Sequence, residues 1–168
     1  MTVTVPIRTA RLADVPALVL LRMANAERHA TLAPSSHRFP AADAVRRYFT
    51  ERLSDPVGDD GLLLVAEVSG TVAGMSELVI YGTLPDHQIL APRRLGEVHT
   101  VVLDGYRGRG IGRALVAAAE QSAIERGVSC LLAPILTANT QAVSFYSGSG
   151  FVDYGVILSK DLTRPAEA

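Results

Sequence analysis

The chain lacks most of what commits a protein to a membrane, a nucleic acid or a disulfide framework. It has one cysteine in 168 residues, Cys130. A lone thiol in an apolar segment is expected to be a small buried hydrophobe of a cytosolic protein, with no bridge to form. No apolar run approaches the roughly 18 residues needed to span a bilayer. The 16 Lys and Arg are balanced by 17 Asp and Glu, for a net charge of −1. Nothing here makes the basic field that a nucleic-acid or anionic-membrane partner would require. The stretch from Met1 to Arg8 has no basic segment followed by an apolar one, so no signal peptide is expected and the location reads as cytoplasmic. The length suits one domain, residues 1–168, with a proper core.

What is present is concentrated in the second half. Val101-Val102-Leu103 is followed by Arg107-Gly108-Arg109-Gly110-Ile111-Gly112 and then by an Ala/Leu-rich segment. An apolar strand, a glycine turn and a helix start bring backbone N–H groups together on an anion, because the first turn of a helix has unpaired donors and a partial positive charge. Arg113-Ala114 stands where a P-loop needs Lys then Ser or Thr, so this is no P-loop. The dinucleotide fingerprint requires glycine at 113, where the chain has Arg113, so that reading also fails. Some thirty residues on, the chain reads Asn139-Thr-Gln-Ala142-Val-Ser-Phe145-Tyr146-Ser-Gly-Ser-Gly150-Phe151. Asn139 is a good helix N-cap, Ala142 and Phe145 share a helix face, and Gly150 ends that helix before Phe151 opens a strand.

The two segments together resemble the GNAT superfamily of acyl-CoA N-acyltransferases. The first is similar to its pyrophosphate loop, Arg-x-x-Gly-x-Gly, and the second to its Asn-x-x-Ala-x-x-Phe-Tyr-x-x-x-Gly-Phe motif. The resemblance implies an α/β fold whose mixed central sheet has two splayed parallel strands flanked by helices. It implies acetyl-CoA as co-substrate, with no metal, held by Val101, Val102, Leu103, Arg107, Gly108, Arg109, Gly110, Ile111, Gly112, Arg113, Asn139 and Tyr146. It also implies Tyr146 as the proton donor to the leaving thiolate, and it leaves room for a homodimer. Two departures from the pattern stand out. Asp104-Gly105 replaces a proline common after the strand, and Ser147-Gly148-Ser149 replaces charged residues in the last helix.

The remaining pattern predicts a strand from Val3 to Arg8 and a helix over 15–30 capped by Asp14, then a loop over 33–40 and a helix over 41–53. A break over 55–61 precedes a hairpin of 62–68 and 71–80 turning at Ser69-Gly70. Residues 81–95 read as an irregular, mobile insertion. A strand over 96–103, a helix over 111–126 with Ile111, Leu115, Ala118 and Ser122 on one stripe, and a strand over 128–136 complete the chain. Pro134 fits either a splay of that last strand or its end.

The chemistry of amine acylation sets the catalytic requirements. An alkyl amine with a pKa near 10.4 is neutral in only about one molecule in two thousand at pH 7, a cost of roughly 4–5 kcal/mol unless a base assists. The developing oxyanion needs a free N–H, sought here around Val101 to Leu103. Glu97 and His99, two apart on one strand, share a face and are candidate bases, with Glu77 a third. Counting back from Arg107, however, assigns the cleft-facing parity to Gly96, Val98 and Thr100. The acceptor, a small-molecule or peptide amine, matches no motif. The expected function is therefore acetyl transfer to a primary amine through a ternary complex. The alternative is an acyl-CoA-binding sensor of the same fold with little activity.

Overall fold

In a computed structural model, residues 5–55, 61–83, 85, 87–160 and 162 are described. Val3 and Thr4 of the expected first strand, and residues 56–60 of the expected break, lie outside them. The elements are β1 (Ile7–Thr9), a 3-10 turn (Leu12–Asp14), α1 (Val15–Leu32), α2 (Ala42–Ser54), β2 (Leu62–Val68), β3 (Thr71–Thr83), β4 (Arg94–Val102), a second 3-10 turn (Asp104–Tyr106), α3 (Ile111–Glu125), β5 (Cys130–Leu132) and α4 (Thr140–Ser147).

The sheet runs β1-β2-β3-β4-β5 in space, antiparallel throughout except for the parallel β4–β5 pair. The β2–β3 hairpin turns at Ser69 and Gly70, both with positive φ (50° and 78°), the handedness that matches strand twist in a two-residue turn. Because both faces are covered, β2 is apolar on both. Val65 joins Leu18, Leu21, Phe49, Met75 and Val101 beneath α1 and α2. Leu64 and Ala66 join Val98, Ile111, Leu115, Val116 and Tyr146 beneath α3 and α4. Each large apolar side chain so buried contributes about 1.5–3 kcal/mol.

Several expectations are corrected. Asp14 does not cap α1 with its side chain. Its carboxylate accepts from Arg8 (2.7 and 2.9 Å) and from the Arg11 backbone N–H (2.7 Å), a stronger set of charged partners. The insertion expected over 81–95 is partly strand, because β3 continues to Thr83 and β4 begins at Arg94. The buried stripe of α3 is Ile111, Leu115, Val116, Ala119 and Ala123, with Ala118 only partly buried. Cys130 is half-buried.

The strand expected over 128–136 pairs only from Cys130 to Leu132, opposite Leu95, Gly96 and Glu97. Beyond Glu97, β4 continues to Val102 on the β3 side alone, while the chain after Leu132 diverges toward Pro134. Phe151 does not open a strand. Its N–H bonds to the Tyr146 carbonyl and that of Gly150 to Ser147 (both 3.1 Å), closing the end of α4 around Gly150 at φ +91°. This is a Schellman closure, and it requires the left-handed residue that glycine supplies. No regular element follows among the described residues.

Candidate active site

Where β4 and β5 part, a cavity of about 510 Å³ opens between the end of β4, the start of α3, the face of α4 and the last turns of α1. Its floor is the unpaired side of β4. Leu103 donates its N–H to the Ala73 carbonyl on β3 (3.0 Å). By the alternation of an antiparallel ladder, the N–H groups of Val101 and Leu103 therefore face β3, and those of Thr100 and Val102 face the gap. Of the stretch Val101 to Leu103 only Val102 turns its N–H toward the gap, and Thr100 adds a second donor there. Leu103 packs into the α1/α2 core and does not line the cavity.

One wall is the start of α3. Gly108 and Gly110 have φ of +74° and +79°, and Gly110 is the N-cap, with no side chain to satisfy the helix donors. The first helical bond runs from Ala114 N–H to the Gly110 carbonyl (3.0 Å), so the N–H groups of Ile111, Gly112 and Arg113 have no acceptor within the helix. Gly108, Gly110, Ile111, Gly112 and Arg113 all line the cavity. Arg107 braces the loop by donating to the Val102 carbonyl (3.2 Å) and to Gln141 (3.0 Å), and it pairs with Asp104 (3.0 Å). Arg109 turns outward, its guanidinium over the Tyr106 ring and bonded to the Gly105 carbonyl, away from the cavity lining. An anionic, phosphate-bearing group fits this wall.

The opposite wall is α4. Asn139 caps it, its Oδ1 accepting from Ala142 N–H at 3.1 Å, as the sequence predicts. Tyr146 is 7% exposed, its ring edge-on to Phe145 and Phe151. Burial raises its pKa above the usual phenol value of 10, while interactions with Thr100 partly offset this. The hydroxyl is thus held protonated at neutral pH, the state a proton donor needs.

The residues on the other face of β4 behave differently from one another. His99 lines the cavity, whereas Glu97 lies outside it. His99 Nε2 is 3.5 Å from Glu97 Oε2. The Tyr81 hydroxyl also bonds Glu97, and Tyr81 is raised by burial and by that carboxylate. Glu77, directly opposite His99 on β3, is committed elsewhere. It is buried and accepts from Arg22 (2.6 Å), Tyr48 (2.5 Å) and Arg52. Burial pushes its pKa up, but the charge of Arg22, the Tyr48 hydroxyl and Arg52 outweigh that and hold it below the usual carboxylate range. A carboxylate so held is a poor proton acceptor.

Sequence reasoning missed the third wall. The inner face of α1 is apolar at Val15, Leu18, Val19 and Leu21 and then turns polar. Asn25, Arg28 and His29 line the cavity where the helix runs past the core. The signal was legible as a polar stripe at helical spacing continuing an apolar one. His29 is shifted below the usual imidazole value by burial, then by His37, Arg28 and His99. Arg28 pairs with Asp104 (3.1 Å), the carboxylate that also holds Arg107. Among the described residues, no Asp or Glu lines the cavity.

The sheet is mixed, its parallel pair β4–β5 parts after Leu132, and a helix start with no side-chain cap opens on the gap. The chain belongs to the Acetyltransferase (GNAT) family, which it matches over residues 24–151. It is 31% identical over 136 residues to a mycothiol acetyltransferase of Frankia casuarinae, covering 79% of this chain but only 38% of that protein's length. In fold it is similar to a mutant of the BH1408 protein of Bacillus halodurans, with a TM-score of 0.83 at 19% identity over 94% of this chain and 99% of that one. It is also similar to an aminoglycoside N-acetyltransferase in complex with CoA, with a TM-score of 0.68 at 19% identity over 95% of each chain.

Proposed function

We propose that the protein moves the acetyl group of acetyl-CoA directly to a primary amine, with both substrates bound in the cavity together. One observation carries this reading. The unpaired start of α3, the unpaired side of β4, the Tyr146 phenol and the His99 imidazole all open on a single cavity. Val101, Val102 and Thr100 on β4, the loop from Arg107 to Arg113, and Asn139 form the acetyl-CoA side, with Arg109 and Leu103 supporting from behind.

His99 is the base. It removes the proton as the amine nitrogen forms the new C–N bond, and Glu97, 3.5 Å behind it, orients the ring. The gap-facing N–H of Val102 or Thr100 stabilises the carbonyl oxygen as charge builds there, a contribution of about 3 kcal/mol in comparable sites. The C–S bond breaks with its electron pair on sulfur, and Tyr146 supplies the proton to the thiolate.

The acceptor is a small amine that is not a polycation. Arg28 lines the cavity from α1, its partner Asp104 lies outside the lining, and no Asp or Glu among the described residues lines the cavity. Such a site suits an amine that also bears a carboxylate or phosphate. The name of the mycothiol acetyltransferase relative is in keeping with a small-molecule acceptor. Initial-rate kinetics with acetyl-CoA and an amine test the reading. Intersecting double-reciprocal lines are expected for a ternary complex. Parallel lines would show a covalent acetyl-enzyme instead, and acetyl-CoA binding without turnover would leave only the sensor.

A further inference from the structure

Met75 and Val101 place the odd-numbered residues of β3 and β4 on the sheet face beneath α1 and α2, while Leu78 and Ile80 pack on the opposite face. On the first face Glu77 stands opposite His99, and Val79 stands opposite Glu97. Tyr81 comes next, and regular pairing would set it against Leu95. Instead Ile80 pairs with Gly96 and Thr83 with Arg94, so Tyr81 and Gly82 together face Leu95. Two residues against one make a β-bulge. Bulges bend a strand and re-aim a side chain, and they are frequent beside active sites. Here the re-aimed side chain ends on a carboxylate of the site, because the Tyr81 hydroxyl donates to Glu97.

Glu97 needs such a holder. A glutamate side chain has several rotatable bonds and loses much rotamer freedom when fixed. This one is 24% exposed, yet its Oε2 must stay 3.5 Å from His99 Nε2 to orient the ring. Its surroundings supply little else. Val79, directly opposite, is aliphatic and has no side-chain donor. Further along β3, Arg22, Tyr48 and Arg52 converge on the Glu77 carboxylate instead. A carboxylate accepts several hydrogen bonds at once, so a bond from Tyr81 fixes the group and leaves lone pairs for the imidazole.

We propose that Tyr81 is a positioning residue for acetyl transfer: aimed by the β3 bulge, its hydroxyl holds the Glu97 carboxylate against His99. This role rests on His99 being the base of the reaction proposed above. Tyr81 is not among the residues lining the cavity, so its effect on the reaction passes through Glu97 and His99. Burial and the carboxylate both raise the phenol above its usual value of 10, which keeps the donor present at neutral pH.

A double-mutant cycle tests the role. Tyr81→Phe removes the hydroxyl and keeps the ring, which is 43% exposed. Melting temperature and acetyl-CoA affinity should therefore hold, and both are measured to show that the variant is folded. Thiol release is followed with the fastest acceptor from a panel of amino acids and amino-sugar phosphates, in the wild type, Tyr81→Phe, Glu97→Ala and the double variant. Tyr81→Phe should lower kcat about fivefold with KM for acetyl-CoA unchanged, a typical coupling between residues in contact. In the Glu97→Ala background the same substitution should change kcat by less than about twofold, since no carboxylate is left to hold. No effect in the wild type, or an equal loss in both backgrounds, overturns the proposal. His99→Ala separates the two readings. If it is as fast as the wild type, the base reading falls and this role falls with it. If it is slow while the Tyr81 and Glu97 losses are independent, the positioning role alone is overturned.

Discussion

His99 Nε2 lies 3.5 Å from Glu97 Oε2 on one face of β4, yet only the histidine lines the cavity. In the proposed mechanism the two are unequal partners: His99 meets the amine, and Glu97 acts through it. Replacing Glu97 by Gln should lower kcat several-fold and leave KM for acetyl-CoA unchanged, because the orienting acceptor survives in weakened form. Measured kcat and KM for that variant check this, and a loss as large as that of a His99 variant would make Glu97 the base itself.

Tyr146→Phe should reduce turnover about 100-fold while barely moving the melting temperature, because the ring packed between Phe145 and Phe151 is kept. The phenol's raised pKa has a second consequence. The neutral donor form therefore persists to higher pH than in a free phenol, so any alkaline loss of kcat from this group should come later than an ordinary phenol would give. A pH–rate profile falling between pH 8 and 9 in the wild type but not in the Phe variant would count against the assignment.

The fold, the order of its elements and the two motif segments were legible in the sequence, and the tertiary partners of single side chains were not, for physical reasons. Of the residues that the count from Arg107 turns toward the cleft, Val98 and Thr100 line the cavity, whereas Gly96 lies against Val128 and Leu131, and His99 of the opposite parity lines it as well. Asn139 caps α4 for the local reason the sequence displays. Glu77 was different: its fate depends on Arg22, Tyr48 and Arg52, brought from two helices far away in the chain. Arg28 and His29 were hidden for the same reason, since only the tertiary fold shows where α1 leaves the core. Val152 to Leu158 has the composition of a strand, but composition names no partner.

Glu77 ties α1 and α2 to the sheet, so its loss should be structural. Glu77→Gln removes the carboxylate that Arg22 and Arg52 share. The cost should fall toward the lower end of ~3–5 kcal/mol, because Arg22 keeps 32% of its side chain exposed. The pH dependence has a definite sign. The folded pKa is depressed, so the stabilisation is present above the unfolded value of about 4.5 and is lost as pH falls through the folded value. Denaturant melts from pH 7 to pH 3 should show a steeper decline in the wild type than in Glu77→Gln. Parallel curves would place the acid sensitivity elsewhere.

Gly110 has φ +79° at the head of α3. Gly110→Ala should cost about 1–2 kcal/mol from the left-handed backbone alone. Gly110→Asp should add to that strain the loss of acetyl-CoA binding, since its carboxylate would stand at the helix donors. Calorimetric titration of both variants separates strain from repulsion, and equal affinity in the two would remove the phosphate from this wall.

Arg28 lines the cavity from α1 and pairs with the exposed Asp104 (3.1 Å). Arg28→Gln should raise KM about tenfold for an amino acid or an amino-sugar phosphate and leave KM for acetyl-CoA unchanged, a hydrogen bond to a charged group being worth about 1.5–3 kcal/mol. A variant impaired only toward acetyl-CoA would reassign Arg28 to the cofactor, and a wild-type preference for polyamines would refute the anionic acceptor.

The most direct test of the account is amine-dependent release of free CoA thiol, followed together with the acetylated amine by mass spectrometry, in the wild type and in His99→Ala. The wild type should release thiol and form acetylated amine in equal amounts. His99→Ala should lose about 10²–10⁴ of the rate with acetyl-CoA affinity intact. Thiol release that ignores the amine, or a His99→Ala enzyme as fast as the wild type, would contradict it.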